Sequence, residues 1–220
     1  MELIRFLRRT PCAVLLAAQL AGVLLYPFLE GSFAGRQLFA LFGLLVLGLA
    51  IFAIRATPLL SWVAILIALP AVVLLVVQVI TQNEDLAPWA SGFEAALYVY
   101  AAAAMLAYML HDDHVTTDEL FAIGAVFTLL AWAFAHLYVV VQALDPGSFT
   151  AAVDPDAARS WTELLFLSFT TLSSTGLSDV VPISGHSRSV VMIEQVAGVF
   201  YIAMVVTRLV AMNTARKTQR

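Results

Sequence analysis

The segment Ser173–Asp179 carries the side chains best suited to chemistry in this sequence, and that chemistry is the binding of a cation. It reads SSTGLSD, so it offers hydroxyl groups, one glycine and a terminal carboxylate. Backbone carbonyls and a threonine-type hydroxyl can replace the water shell of an ion when they face a common axis. One chain supplies one such loop, so a ring of oxygens requires several copies.

The elements around this loop indicate how it is positioned. An amphipathic, helix-length run from Ser160 to Leu172 precedes it, and Val180–Pro182 follows it. The whole stretch lies between two long apolar runs and is too short to cross a membrane. Non-helical backbone at membrane depth is tolerated only where protein buries it or where it lines a watery cavity. The short helix would point the negative end of its dipole at the bilayer centre, which favours cations. An extracellular loop with an ordinary serine-rich turn is the alternative interpretation.

The composition is that of a membrane protein and excludes several other classes. Of the 220 residues, 62% are hydrophobic and 12% are charged, whereas a soluble domain is roughly half apolar and about a quarter charged. The net charge of −4 and the lack of a basic patch argue against a nucleic-acid partner. Cys12 is the only cysteine, which excludes a disulfide or a thiolate metal site within one chain.

The sequence gives no support for catalysis. It contains no Ser-His-Asp constellation, no metal-ligand spacing and no phosphate loop, so we expect no enzymatic activity, no catalytic residue and no cofactor beyond the cations in the loop. A membrane enzyme or a helix-bundle assembly protein is the hypothesis from another class.

Six apolar runs have the length of a membrane-spanning helix, which needs about 20 residues. They cover about Pro11 to Leu29, Gln37 to Ile54, Pro58 to Thr81, Phe93 to Leu110, Leu120 to Leu144 and Ser187 to Met212. The first run is long for a signal-peptide core, so we interpret it as a span. The predicted fold class is an all-α membrane protein with six transmembrane helices and a re-entrant helix and loop between the fifth and sixth.

The distribution of basic residues predicts the orientation. Six spans place both termini on one side, and most basic residues lie on that side: Arg5, Arg8, Arg9, Arg55, Arg208, Arg216, Lys217 and Arg220. Arg36, Arg159 and Arg188 lie on the other side. The positive-inside rule therefore predicts a multi-pass protein of the cell's inner (plasma) membrane with both termini cytoplasmic. The fourth run has no Lys or Arg, so we expect no arginine-based voltage sensor.

The stretch Ser168–Pro182, SFTTLSSTGLSDVVP, resembles the potassium-channel signature, whose usual core reads T-x-x-T-x-G-Y-G-D. The residues from His186 to Val210 are similar to the inner helix of bacterial six-span members. The resemblance covers about Leu120 to Met212. It implies a homotetramer around a central pore, embedded in membrane lipid, that passes potassium or sodium ions. The apolar runs and this resemblance together predict a four-helix N-terminal domain (1–115), which matches the family only in layout, a pore domain (116–212) and a short cytoplasmic tail (213–220).

The resemblance assigns roles to individual residues. The five filter positions are Ser174, Thr175, Gly176, Leu177 and Ser178, with Asp179 at the outer mouth. Gly198 falls where the family's inner-helix hinge glycine lies. Leu177 replaces the usual aromatic residue and Ser178 the second glycine. We expect Ser178 to adopt a left-handed conformation at a cost of about 1–2 kcal/mol per copy. Two functions stay open: a cation channel that favours potassium, and a channel fold with a non-selective or non-conducting pore.

Two ionisable residues lie inside predicted spans, where such groups are usually paired or functional. For Glu194 we predict support of the filter through Ser or Thr hydroxyls such as those of Thr170 or Thr171, and hydration near the interface is the alternative. For His136, a hydrogen-bonded structural role and proton sensing both stay open.

The other histidines lie outside the spans. The cluster His111–His114, HDDH, has the residue types of a metal site and equally those of a solvated linker. The sequence assigns no role to His186.

Overall fold

Apolar helices make up most of the chain. A computed structural model describes residues 10–54, 58–110 and 116–218, with side chains described for 10–49, 62–110 and 116–210. The helices are α1 (Pro11–Leu29), α2 (Phe33–Ile54), α3 (Pro58–Thr81), α4 (Ala87–Leu110), α5 (Thr117–Leu144), α6 (Trp161–Leu172) and α7 (Gly185–Thr218). Two short strands, β1 (Phe149–Ala151) and β2 (Val180–Pro182), flank α6 and its loop.

Five helices in the part of the chain searched are long and apolar enough to cross a membrane. They correspond to α1, α3, α4, α5 and α7. The described apolar portion of α2, Phe33–Leu49, is shorter. The architecture is therefore that of a multi-pass helical membrane protein.

The helix boundaries follow from local sequence signals. Pro11 and Pro58 stand at the first positions of α1 and α3, where a missing N–H costs nothing. Thr116 caps α5, because its hydroxyl accepts a hydrogen bond from the Glu119 N–H at 3.2 Å. The predicted starts of α2 and α4 were several residues too late. In α4 the reason is Pro88, which fits the first turn of a helix and extends it upstream of the apolar run.

An aromatic cluster fixes α5 to its neighbours. Trp132 on α5 is fully buried, and its ring centroid lies 5.6 Å from Tyr98 on α4, 5.5 Å from Phe39 on α2 and 5.5 Å from Trp161 on α6. Rings at these distances pack favourably beyond the area they bury. The cluster therefore holds the first turn of α6 against three helices at once.

The two strands are an addition to the predicted all-α class. They pair antiparallel, with Phe149 opposite Pro182 and Ala151 opposite Val180. Phe149 and Val180 are buried beside α5, α6 and α7. This ribbon ties the chain that leaves α5 to the chain that leaves the loop, so the loop is held at both of its ends.

Candidate functional site

A reciprocal capping box starts α6, the helix that leads to the loop. The Ser160 N–H donates to Glu163 Oε2 at 2.6 Å, and the Glu163 N–H donates to Ser160 Oγ at 3.3 Å. Two otherwise unpaired N–H groups are satisfied in this way. The Gln142 side chain joins this cap to the end of α5. It donates to the Arg159 carbonyl oxygen at 2.9 Å and accepts from the Arg159 N–H at 2.7 Å.

Arg159 organises the segment between β1 and α6. Its guanidinium is almost fully buried and donates to the backbone carbonyls of Val153, Asp154 and Ala157. It also contacts Glu163 Oε1 at 3.1 Å. Guanidinium presents five donors in a fixed fork, so one residue can satisfy several carbonyls. The segment before α6 is therefore folded around this side chain.

The C-terminus of α6 ends in a Schellman motif that forms the start of the loop. The Thr175 N–H donates to the Thr170 carbonyl oxygen and the Ser174 N–H to the Thr171 carbonyl oxygen, each at 3.0 Å. Ser174 lies in the left-handed region with φ of 60°, as expected for the residue after the C-cap. The Gly176 N–H also donates to the Thr170 oxygen at 3.0 Å. The first half of the loop is thus folded back on the helix end.

The five predicted filter residues are continuous and mostly exposed in the single chain. Ser174, Thr175, Gly176 and Leu177 are exposed, whereas Ser178 is partly buried. Gly176 has φ of 64°, which suits a glycine. The left-handed conformation predicted for Ser178 is wrong, because φ is positive at Ser174 and Gly176 and not at Ser178. Instead, Ser178 Oγ accepts a hydrogen bond from the Val180 N–H at 3.1 Å and so turns the chain into β2.

Asp179, the predicted outer-mouth residue, directly precedes β2 and is exposed. His186, at the start of α7, is also exposed, and its Nδ1 atom lies 3.5 Å from Asp145 Oδ2. No group of three or more potential metal ligands occurs among the residues described. The cluster His111–His114 lies outside the described residues.

Glu194 joins the inner helix α7 to α5 and α6. The residue is fully buried, and its carboxylate accepts hydrogen bonds from the hydroxyls of Ser168 and Tyr138. Ser168 Oγ also lies 2.8 Å from the Ala131 carbonyl oxygen. The two threonines named from the sequence bond elsewhere: the Thr170 hydroxyl donates to the Leu167 carbonyl at 2.9 Å, and Thr171 contacts Tyr138. The carboxylate therefore contacts α6 at Ser168, two to three residues before the predicted threonines.

Gly198 marks the closest approach of α7 to α6. A Cβ atom at this position would collide with the carbonyl oxygen of Leu172, the last residue of α6. The helix continues through Gly198 without interruption. Glycine is therefore required here for the close packing of two backbones.

His136 and Glu94 face one another between α5 and α4. The Nδ1 atom of His136 lies 3.2 Å from Glu94 Oε2, without the alignment of a hydrogen bond. The imidazole ring stacks on Tyr98, with centroids 5.5 Å apart and an angle of 14° between the planes. Both ionisable side chains are about nine-tenths buried.

Contacts of α1 with α5 and α6 were not predictable from local patterns. The Thr162 hydroxyl, in the first turn of α6, donates to Glu30 Oε2 at 2.6 Å. At the opposite end of α1, the Cys12 N–H donates to Asp118 Oδ1 at 2.9 Å. Sequence reasoning also missed Ser168 and Tyr138, and a buried hydroxyl on the core face of an amphipathic helix was the signal available for Ser168.

This geometry defines a class of protein: two apolar helices enclose a short helix and an exposed loop rich in carbonyl and hydroxyl oxygens. Residues 120–215 match the family model described as "Ion channel". The match supports the assignment of this part of the chain to the potassium-channel superfamily, as a cation-channel domain of the potassium-channel type within a multi-pass membrane protein. Neither a curated protein nor a solved structure matches the chain significantly.

Proposed function

We propose that the chain assembles as a homotetramer and conducts monovalent cations, with potassium favoured, through a central pore. Each copy contributes one re-entrant α6 and one filter loop, and α1 to α5 with α7 provide six spans. Carbonyl oxygens of Thr175, Gly176 and Leu177, with the carbonyl or hydroxyl oxygen of Ser174, coordinate the ion. No step of covalent chemistry takes place.

The length and position of α6 carry this proposal. Its 12 residues extend about 18 Å, which is too short for a hydrocarbon core of about 30 Å. It lies between two helices that are long enough to span. An exposed loop after such a helix is tolerated in a membrane only when other protein or water surrounds it. Three further copies around an axis supply that surrounding.

The outward face of α7 supports assembly. Large apolar side chains on this helix are exposed in the single chain, among them Val196, Val199 and Phe200. Leu177 in the loop is 79% exposed. A membrane helix can turn such residues to lipid, but a leucine at the loop needs a protein neighbour or the pore. Packing against the neighbouring copies buries these groups.

Charge supports the orientation and the absence of voltage gating. Basic residues concentrate on the side of the termini, which we therefore place in the cytoplasm, with the protein in the inner (plasma) membrane. α4 contains no Lys or Arg. Moving one charge through 100 mV supplies only about 2.3 kcal/mol, so an arginine-based voltage sensor needs several basic residues and α4 supplies none.

Flux assays on purified protein in liposomes test the proposal. We expect potassium-driven flux to exceed sodium-driven flux, pore opening that does not depend on voltage, and a tetramer by native mass spectrometry. Asp156→Asn changes an exposed carboxylate in the segment before α6. As a control variant it should have the same ratio of potassium to sodium flux as the parent protein. A monomer by mass spectrometry would contradict the tetramer. Potassium and sodium fluxes equal to those of protein-free liposomes would contradict conduction.

The second candidate function keeps the assembly but assigns a non-selective or non-conducting pore. It is favoured by Leu177 and Ser178, which replace the usual aromatic residue and second glycine. Leucine lacks the hydroxyl that tethers such a loop to neighbouring helices. If this filter limits selectivity, Leu177→Tyr combined with Ser178→Gly should raise the ratio of potassium to sodium flux. No gain in flux or ratio would exclude the filter sequence as the limiting feature.

A further inference from the structure

A cavity of about 530 Å³ opens among α2, α3, α4 and α5, away from the filter loop. Arg36 and Glu84 lie at its exposed mouth, and Tyr98 and His136 lie at its buried end. Its wall along α4 runs from Pro88 to Tyr98, about 15 Å at the rise of an α-helix. Ligand pockets commonly have volumes of about 300–1,000 Å³, so this cavity has room for a small molecule.

Among the charged side chains that line this cavity, Glu94 is not paired with an arginine. Arg36 pairs with Glu84 and donates to the Glu30 carbonyl at 3.1 Å. Arg159 is occupied by backbone carbonyls and Glu163, as described above. Glu94 is only 8% exposed, and the group facing it among the described lining residues is His136, which is neutral unless protonated. A carboxyl group buried in this way keeps its negative charge only beside a positively charged partner, so ionised Glu94 and a cation in the cavity stabilise each other.

The remaining lining suits an organic cation better than a metal ion. Tyr26, Phe39 and Trp161 form a contiguous aromatic wall, with ring centroids 4.3 to 5.0 Å apart. Aromatic rings attract ammonium groups and accommodate apolar bodies. Gln37 Oε1 is a buried acceptor for which the described part of the chain supplies no donor. An ammonium ion has only N–H donors, so it complements both this oxygen and the Glu94 carboxylate.

We propose that this cavity binds a protonated amine with a compact apolar body. The ammonium group donates to the Glu94 carboxylate and the Gln37 side-chain oxygen, and the apolar body packs against Phe39, Tyr98 and Trp161. The site lies away from the filter and does not depend on conduction, so it stands or falls independently of the proposed function.

Calorimetric titration of the full-length protein in nanodiscs tests the site with three probes that share one apolar body. Adamantylamine is positively charged at pH 7, adamantanol is neutral and adamantane carboxylate is negative. We expect adamantylamine to bind at least tenfold more tightly than either of the other two. Equal affinity for the amine and the alcohol would show partition into lipid only and would overturn the proposal.

Variants separate the cavity from the lipid background. Glu94→Gln keeps the shape of the side chain and should weaken amine binding at least tenfold, while Asp156→Asn, a carboxylate outside the cavity, should leave it unchanged. Unaltered binding to Glu94→Gln would overturn the proposal. If Glu94→Gln does not yield monodisperse protein, Ala40→Phe fills the cavity and leaves the carboxylate in place. Amine binding to that variant as tight as to the parent would overturn the proposal equally.

Discussion

The Glu194 carboxylate on α7 accepts a hydrogen bond from the Ser168 hydroxyl in the middle of α6. The two residues are fully buried, and Tyr138 on α5 donates to the second carboxylate oxygen. A buried carboxyl group without partners costs several kcal/mol. This side chain therefore couples the position of α6, the helix before the loop, to α7.

A double-mutant cycle between these two residues measures the coupling. We expect Ser168→Ala and Glu194→Gln each to lower the apparent melting temperature of the assembly, and the double variant to lose less than the sum. The expected interaction free energy is about 1 kcal/mol, the scale of buried polar contacts between membrane helices. Differential scanning fluorimetry in detergent supplies the measurement.

Ser189→Ala is the control for this cycle. Ser189 is exposed and its hydroxyl donates to the Gly185 carbonyl of its own helix, so its loss should change stability by less than about 0.5 kcal/mol. Strictly additive effects of the Ser168 and Glu194 variants would mean that the contact does not support α6. Unchanged flux and stability of Glu194→Gln across pH 5 to 8 would mean the same.

The helices and the kind of partner for Glu194 were predictable, but the partner itself was not. Continuous apolar runs define α1, α3 and α5 because hydrophobicity and length alone fix a span. A buried carboxylate near a helix rich in Ser and Thr predicts a hydroxyl contact. The hydroxyl that makes this contact is determined by the rotation of α6 about its axis. The second partner, Tyr138, lies on α5, 56 residues before Glu194 in the sequence. Such tertiary geometry leaves no trace in local spacing.

The handedness of the loop shows a different limit. Comparison with a family signature placed the strained residue at Ser178, where other members have glycine. In this chain the left-handed residue is Ser174, because the Schellman motif at the end of α6 places it directly after the C-cap. A pattern of residue types identifies which positions correspond to a family motif. The backbone conformation at those positions depends on which carbonyl oxygen accepts each N–H, and the pattern does not show this.

Glycine substitutions in the loop test this assignment. Ser174→Gly should stabilise the protein by about 1 kcal/mol, since glycine occupies the left-handed region without the penalty of a Cβ atom. Ser178→Gly should not stabilise it, because that residue has no positive φ and the change removes the oxygen that accepts from Val180. Apparent melting temperatures of the two variants give the comparison. Stabilisation by Ser178→Gly alone would reverse the assignment.

Arg159 should be irreplaceable by lysine. Arg159→Lys keeps the charge but presents a single ammonium group to carbonyls that the guanidinium fork reaches together. We expect a loss of about 1–3 kcal/mol, the cost of leaving buried acceptors unsatisfied, and faster cleavage of residues 152–158 in limited proteolysis. Arg188→Lys, an exposed arginine with one bond to the Pro182 carbonyl, is the control and should be nearly neutral. Equal cleavage rates in both variants would contradict the role of Arg159.

The substitution Gly198→Ala distinguishes a role in close helix packing from a role as a hinge. If the glycine serves only as a hinge, Gly198→Ala should stabilise α7 by up to about 1 kcal/mol, because alanine favours the helix. The collision of a Cβ atom with the Leu172 carbonyl oxygen predicts the opposite sign, a loss of about 1–3 kcal/mol from overpacking. Gly185→Ala, where the added methyl group meets open space, controls for the intrinsic preference. If the melting temperature falls for Gly198→Ala and is unchanged for Gly185→Ala, Gly198 is needed for the contact between α6 and α7. If the melting temperature rises for both variants, this contact does not support the filter.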